Sequence, residues 1–309
     1  MKGIESMLHR EDFGLGPISY NCIEPNLYLG SLSAAKDIDT LNKLKITHII
    51  TIDTCPLPRN ILELSHITNM FIQLPDFPKE DLLSHLDNTD VFIKEGLEKG
   101  AVLVHCYFGI SRSATVVIGY IMKKHRLTYQ RAFETVKAKR SIVFPNQGFV
   151  SQLKLYQEMD YTINKSSMRY KIFRLNMAAE RVRKVKILPQ NFMDLIQPDP
   201  GLPQTQPHPN VYRCKKCRRV LASENNLIVH QENGKKCIKT YFLEPISWMD
   251  VTQTLQGKLH CPKCKHKVGS FSWIMGCQCP CGVQVAPAFY LVPSKVDYTN
   301  VVKNVEMTF

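Results

Sequence analysis

The chain has 309 residues, of which 44% are hydrophobic and 22% charged, a balance that excludes a wholly disordered protein. This length allows one well-buried domain of about 150 residues and a second unit of similar or smaller size. The formal net charge is +13, and the excess is regional, because residues 165–239 hold 16 Lys and Arg against 5 Asp and Glu. That segment predicts either a solvated basic face or a surface for RNA or an acidic partner.

The first residues of the chain predict an intracellular protein. Residues 1–14 mix Glu, His, Arg and Asp before any apolar run reaches the length of a signal peptide. No later stretch approaches the roughly 18 apolar residues of a membrane span, so we expect no membrane association. In a reducing compartment, the eleven cysteines are expected to bind metal or take part in catalysis rather than form disulfides.

After an N-terminal extension at 1–24, residues 25–161 alternate short β-branched runs with helical periodicity. The predicted strands are Asn26–Gly30, Thr47–Asp53, Met70–Leu74 and Ala101–His105. The predicted helices are Ser33–Leu44, Asp81–Glu98, Arg112–His125, Tyr129–Lys139 and Gln147–Met159. The pattern predicts an α/β domain with a central sheet flanked by helices.

The C-terminal half has a different pattern. Residues 166–186 form a Lys/Arg-rich helical segment, and residues 188–210 contain six prolines, so we predict a basic helix and a proline-rich linker at 162–210. From residue 211 the density of cysteines rises and helical periodicity fades. Residues 211–309 are therefore expected to form a small domain that is held together by metal.

The segment between Ala101 and Arg112 has the pattern of an anion-binding loop. An apolar strand, Ala101–His105, runs into a loop with Gly109 at its turn, and helical character follows. Backbone N–H groups of a loop before a helix N-terminus point inward and, with the helix dipole, bind anions. Gly109 permits the tight turn that this loop needs.

Two side chains of this loop predict its chemistry. Arg112, six residues after Cys106, is placed to hold two phosphate oxygens in a bidentate guanidinium grip that lysine cannot reproduce. The same positive field favours the thiolate form of a cysteine, which is the reactive form. We therefore expect Cys106 to be a nucleophile, with a buried structural cysteine as the alternative.

The run His105-Cys106-x-x-Gly109-x-Ser111-Arg112-Ser113 resembles the signature of the dual-specificity protein phosphatases, over roughly residues 20–160. The resemblance implies a cysteine-phosphatase fold and hydrolysis of phosphotyrosine and phosphoserine or phosphothreonine through a phosphocysteine. It implies no cofactor for catalysis. A phosphate-binding pseudoenzyme is the alternative, but the nucleophile, the arginine and a plausible acid are all present.

The family's mechanism needs an acid that protonates the leaving oxygen, in a loop some thirty residues before the cysteine. Asp76 fits, because it follows a predicted strand and precedes a predicted helix. Asp81 is the competitor, and its alternative role is the N-cap of a helix that begins at Leu82.

The resemblance implies roles for further residues. Ser113 would donate a hydrogen bond to Cys106 and help it leave when water attacks the phosphocysteine. Asn146 would buttress the phosphate loop, and His105 would orient that loop or be merely structural. The implied substrate-binding residues are Tyr107, Phe108, Gly109, Ile110, Ser111, Arg112 and Asn146.

The loop departs from the family at Tyr107 and Phe108, which are bulky where relatives often have smaller residues. None of the variable loop positions is basic, whereas relatives that act on inositol phospholipids or RNA ends tend to carry Lys there. The resemblance therefore favours phosphoprotein substrates.

The C-terminal cysteines have the spacing of zinc ligands, and we expect two structural Zn²⁺ ions with four protein ligands each. The predicted first site is Cys214, Cys217, His230 and Cys237, and the predicted second site is Cys261, Cys264, Cys279 and Cys281. Cys277 competes with Cys279 and Cys281 for two places and is taken as the spare thiol. Cys22 and Cys55 match no motif and are expected to be buried small hydrophobes.

The residues that flank these cysteines resemble one phosphatase subgroup, the Yvh-type or glucokinase-associated phosphatases with a C-terminal zinc-binding domain. The resemblance rests on the runs Tyr241–Met249, Gly269–Trp273 and Pro287–Phe289. It implies a second role in maturation of the large ribosomal subunit, in which the zinc domain binds pre-ribosomal particles and phosphatase activity is dispensable. It also implies residence in nucleus and cytoplasm.

Overall fold

The computed structural model describes residues 16–203, 208–232 and 234–300, and these residues form two compact units that divide between Asn164 and Lys165. Most of the predicted N-terminal extension lies outside the described residues. No described helix is both long and apolar enough to span a membrane.

The first unit is built on a five-stranded sheet of order β1-β2-β5-β3-β4. Its strands are β1 Tyr20–Glu24, β2 Leu27–Gly30, β3 Ile46–Asp53, β4 Thr68–Gln73 and β5 Ala101–His105. Strand β1 pairs antiparallel with β2, and all other neighbours are parallel. Because β5 is buried along its whole length in the middle of the sheet, the loop that follows it starts from a rigid support.

Helices cover the sheet. They are α1 Leu32–Lys36, α2 Ile38–Lys43, α3 Arg59–Leu62, α4 Leu86–Lys99, α5 Arg112–His125, α6 Tyr129–Lys139 and α7 Gln147–Glu158. The α/β prediction is confirmed, and α5 and α6 have the predicted bounds. The predicted helix Ser33–Leu44 is divided, because Asp37 has an extended backbone and its carboxylate accepts a hydrogen bond from the Thr40 N–H to begin α2.

Three expectations for the first unit are wrong. Strand β1 was missed, because only Ile23 of its five residues is buried and the sequence signal is weak. Cys22 and Cys55 are exposed rather than buried, because Cys22 lies on this edge strand and Cys55 follows the end of β3.

The second unit begins with helix α8, Met168–Val185, and continues with short strands. The strands are β6 Asn210–Cys214, β7 Val220–Ser223, β8 Gln231–Glu232, β9 Lys235–Lys236, β10 Tyr241–Phe242, β11 Gln256–His260, β12 Lys267–Ser272, β13 Cys277–Gln278, β14 Gln284–Val285, β15 Ala288–Leu291 and β16 Val296–Asn300. Its larger sheets have the orders β10-β15-β12-β11 and β16-β6-β7.

The segment that was predicted as basic helix and linker belongs to this second unit. Helix α8 buries Leu175, Ala178 and Val182 in the same core as Leu188 and Phe192 of the proline-rich segment. Prolines end the helix but do not prevent the chain from packing its apolar side chains, so proline content alone did not mark a linker.

Candidate active site and metal clusters

The loop between β5 and α5 is the first candidate site. Gly109 has a φ of +70°, and a Cβ there would lie 2.4 Å from the Gly30 carbonyl oxygen and 2.9 Å from Arg140 Nη2. Glycine is therefore required by both conformation and space. The turn folds the loop over the side chain of Cys106, which is 1% exposed.

The Cys106 thiol receives two hydrogen bonds. The Gly109 N–H lies 3.3 Å from Cys106 Sγ, and Ser113 Oγ lies 3.1 Å from it. Donors directed at sulfur stabilise its negatively charged form, so this surrounding suits a nucleophile that must also depart as a thiolate. The sequence placed Ser113 in this role only through the family resemblance.

Arg112 lies at the first residue of α5 and is 7% exposed. Its Nη1 donates to Asp53 Oδ1 at 2.9 Å and to the Leu74 carbonyl at 3.3 Å. Its Nε is buried without a hydrogen-bond partner and lies 3.8 Å from Asp76 Oδ2. A buried donor without a partner is costly, and an anion bound beside it would supply that partner.

Asp76 is held against the loop by two hydrogen bonds. Ser111 Oγ and Asn146 Nδ2 each donate to Asp76 Oδ1 at 2.8 Å. Asn146 also accepts at its Oδ1 from the Phe149 N–H and so caps α7. The carboxyl group of Asp76, from the segment between β4 and α4, is thus held beside the guanidinium of Arg112 and against the loop that carries the nucleophile.

Asp81, the competing acid, is occupied elsewhere. Its carboxylate accepts from the Ser84 N–H at 3.0 Å and from Ser84 Oγ at 2.7 Å. This capping contact precedes a short 3₁₀ turn, Leu83–His85, and α4 begins only at Leu86. The geometry favours Asp76 as the acid.

His105 is fully buried and connects the loop to the sheet. Its Nε2 lies 2.8 Å from Thr51 Oγ1 on the adjacent strand β3, and its Nδ1 lies 3.3 Å from the Cys106 carbonyl oxygen. These contacts suit a residue that orients the start of the loop.

The remaining predicted substrate-binding residues lie in the same loop. The carbonyl of Tyr107 accepts from the Leu32 N–H at 3.0 Å, and the carbonyl of Ile110 accepts from the Phe144 N–H at 2.8 Å. The ring of Phe108 is 62% exposed and meets the Tyr107 ring edge-on at 4.6 Å.

Two residues of the site were missed from the sequence. Asp53 ends β3 and holds Arg112, and Arg140 follows α6 and is 2% exposed. Arg140 Nε donates to the Gly109 carbonyl at 2.9 Å, and Nη2 donates to the Phe108 carbonyl at 3.0 Å. Burial lowers the pKa of Arg140. A charged residue at the end of an apolar run was the available signal for Asp53.

We expect Arg140→Lys to weaken the loop, because an ammonium cannot reproduce the fork that holds two carbonyl oxygens. Loss of one charge-assisted hydrogen bond should lower the free energy of unfolding by about 1.5–3 kcal/mol. It should also lower kcat/KM on a small aryl phosphate, with both effects read by thermal unfolding and steady-state kinetics. Asn21→Ala is the matched control, since Asn21 Oδ1 accepts the third Arg140 bond, at 2.8 Å, away from the loop carbonyls. Equal losses of activity in both variants would contradict the prediction.

The second candidate site is a pair of cysteine-rich clusters. Cys214, Cys217, Cys261 and Cys264 form one cluster, and His230, Cys237, Cys279 and Cys281 form the other, with ligand atoms within 4.8 Å of one another. Along the chain the ligands form four pairs, and the structure joins the first pair to the third and the second pair to the fourth. The predicted grouping, first with second and third with fourth, is therefore wrong. Cys277 lies outside both clusters.

The clusters have the dimensions of a tetrahedral metal site. Neighbouring sulfurs lie 3.7 Å apart for Cys214 and Cys264 and 3.8 Å apart for Cys237 and Cys279. Tetrahedral zinc with Zn–S bonds of about 2.3 Å requires S···S distances of roughly 3.8 Å. His230 Nε2 lies 3.3 Å from Cys281 Sγ and completes the second set of donors.

The two turns of the first cluster are alike, which explains how they can face one metal. Arg218 and Lys265, each the residue after a Cys-x-x-Cys pair, have left-handed φ angles of 62° and 57°. In both turns that residue's N–H donates to the carbonyl of the pair's first cysteine, at 2.8 Å and 3.0 Å. Both loops therefore present their two thiols on one side.

Comparison with known proteins agrees with the geometry. The family description "Dual specificity phosphatase, catalytic domain" matches residues 27–159. The chain is 42% identical to "Dual specificity protein phosphatase MPK-4" of Drosophila melanogaster, over 98% of this chain and 93% of that protein. It is 35% identical to "Dual specificity protein phosphatase 12" of Mus musculus, over 89% and 87%, and 31% identical to "Tyrosine-protein phosphatase yvh1" of Schizosaccharomyces pombe, over 89% and 83%.

Proposed function

The chain belongs to the dual-specificity protein phosphatases and is a cysteine-dependent protein phosphatase, and we propose that it hydrolyses both phosphotyrosine and phosphoserine or phosphothreonine through a phosphocysteine. The observation that carries the proposal is that Asp76, from the segment between β4 and α4, is held against the loop that carries Cys106 and Arg112. Cys106 Sγ accepts from two donors, and Asp76 Oδ2 lies 3.8 Å from Arg112 Nε.

In the first step, Cys106 Sγ attacks phosphorus while the loop N–H groups and Arg112 hold the non-bridging oxygens. The bond from phosphorus to the substrate oxygen breaks, and Asp76 donates its proton to that oxygen. Ser111 and Asn146 hold one Asp76 oxygen in place, which leaves the other to carry the proton.

In the second step, water attacks phosphorus and the S–P bond breaks. Asp76, now ionised, takes a proton from the water, and inorganic phosphate forms. Sulfur departs with the electron pair of the S–P bond, and the Ser113 hydroxyl, 3.1 Å from Sγ, stabilises the thiolate. The enzyme returns to its starting state without a cofactor.

Replacing Asp76 by asparagine tests the acid. Asparagine cannot donate a proton to the leaving oxygen, so kcat should fall by about 10²–10³-fold on phosphoserine peptides. The loss should be much smaller for aryl phosphates with acidic leaving groups, which depart without protonation. Steady-state kinetics over a series of leaving groups measure this dependence. Asp81→Asn is the control and should leave the dependence on the leaving group as in the wild type. The same loss in Asp81→Asn would show that the assignment of the acid to Asp76 is wrong.

Dual specificity is tested with three phosphopeptides of one sequence that carry phosphotyrosine, phosphoserine or phosphothreonine. Phosphate release from all three supports the proposal, and release from the phosphotyrosine peptide alone would restrict the enzyme to tyrosine.

We further infer that the two clusters of the second unit hold structural zinc. Four protein ligands leave no open position for water at the metal, and thiolate-rich tetrahedral sites select zinc among divalent ions. Each cluster joins two segments that lie more than 40 residues apart along the chain, so the metal would connect distant parts of the second unit. The role in ribosome maturation and the nuclear and cytoplasmic location stay predictions of the family resemblance.

A further inference from the structure

Exposed phenylalanine rings are concentrated at the phosphate site. Among the described residues of the first unit, the three most exposed large apolar side chains are Phe144 at 65% and Phe77 and Phe108 at 62% each, and Val91 follows at 53%. Single exposed apolar side chains are ordinary, but several large ones gathered at one place indicate a binding surface.

The backbone ties each of these residues to the site. Phe77 directly follows Asp76, and the Phe108 carbonyl lies in the loop and accepts from Arg140. The N–H of Phe144 donates to the carbonyl of Ile110 at 2.8 Å. The three rings therefore stand on the three segments that carry the acid, the nucleophile and the Asn146 buttress.

We propose that Phe77, Phe108 and Phe144 form an apolar rim that recognises apolar or aromatic side chains beside the phosphorylated residue of a protein substrate. The inference rests on the proposed function, because it assigns a substrate preference to that same site. Substrate is the expected occupant, since any protein that brings a phosphorylated residue to Cys106 must cover the segments on which these rings stand.

The charges of the loop support this preference. Its variable positions Tyr107, Phe108 and Ile110 carry no cation, and the guanidinium of Arg140 is buried and engaged with loop carbonyls. An acidic side chain next to the phosphorylated residue would find no ion-pair partner at these variable positions. An apolar side chain there would remove its own surface and that of a phenyl ring from water.

The test uses the full chain and two phosphotyrosine peptides that differ only in the residues next to the phosphotyrosine, leucine in one and aspartate in the other. We expect a ratio of kcat/KM of about tenfold in favour of the leucine peptide, mainly through KM. Phe108→Ser and Phe144→Ser should each reduce this ratio to about threefold or less. Phe71→Ser is the matched control, because Phe71 is an exposed phenylalanine on β4, and it should leave the ratio unchanged.

Each other outcome has a defined meaning. The inference is wrong if the wild type shows a ratio near one, or if both rim variants leave the ratio unchanged. Continued hydrolysis of p-nitrophenyl phosphate in that case would still support the proposed function. If Phe144→Ser instead removes a concentration-dependent dimer in sedimentation velocity and leaves the ratio unchanged, the rim binds a second copy and the inference is wrong. If no substrate is hydrolysed, the proposed function fails together with the inference.

Discussion

Cys106→Ser is expected to abolish phosphate release, with a loss in kcat of at least about 10⁴-fold, because a hydroxyl in place of the thiol leaves no competent nucleophile. The loop should keep its shape, since Arg140 holds the carbonyls of Phe108 and Gly109 through contacts that the substitution does not touch. The variant should therefore still bind a phosphopeptide, which isothermal titration measures.

Cys55→Ser is the matched control for this variant. Cys55 is an exposed cysteine in the same unit, outside the loop, and its replacement should leave hydrolysis within about twofold of the wild type. Substantial phosphate release by the Cys106→Ser protein would show that the reaction does not pass through this sulfur.

The second large effect concerns the grouping of the metal ligands. With the ligands grouped as in the structure, Cys214→Ser should damage the four-cysteine cluster and leave the cluster of three cysteines and His230 intact. Cys279→Ser does the reverse. The grouping predicted from the sequence gives the opposite result for both variants. Serine is a poor zinc ligand, so the affected site should lose its metal and with it the apparent binding free energy of about 10–16 kcal/mol that a structural zinc supplies.

Cobalt absorption spectra distinguish the two groupings, because four-thiolate sites and three-thiolate imidazole sites give different bands. After replacement of zinc by cobalt, Cys214→Ser should show the imidazole-containing site and Cys279→Ser the four-thiolate site. The reverse assignment would mean that each pair of ligands joins its neighbour along the chain. Hydrolysis of p-nitrophenyl phosphate by the same preparations verifies that the first unit is folded.

The parts of the site that spacing alone predicts are local, whereas Asp76 and Asn146, 35 residues from Ser111 on either side, were reached through the family resemblance. His105, Cys106, Gly109, Arg112 and Ser113 follow one another along the chain, so the order of strand, loop and helix implies their arrangement. Asp53 and Arg140 were missed, because their contacts with the loop join residues 59 and 31 positions apart and depend on strand order and on the end of α6.

The same limit explains the errors in the second unit. Every predicted ligand lies in a cluster, because the spacing within each pair of ligands is local. Which two pairs share a metal depends instead on contacts such as Cys214 with Cys264, 50 residues apart. The packing of the proline-rich segment against α8 is likewise tertiary. Apolar residues spread among prolines gave no periodic pattern, although Leu188 and Phe192 are buried.

The most direct test of the mechanism is to trap the covalent intermediate. Wild-type protein is mixed with a rapidly hydrolysed aryl phosphate, quenched with denaturant at alkaline pH within the first turnover, digested and analysed by mass spectrometry. We expect one phosphoryl group on the peptide that contains Cys106, attached through sulfur and absent from Cys106→Ser. Phosphate release with a phosphoryl group on another residue, or with none on Cys106 at any quench time, would contradict it.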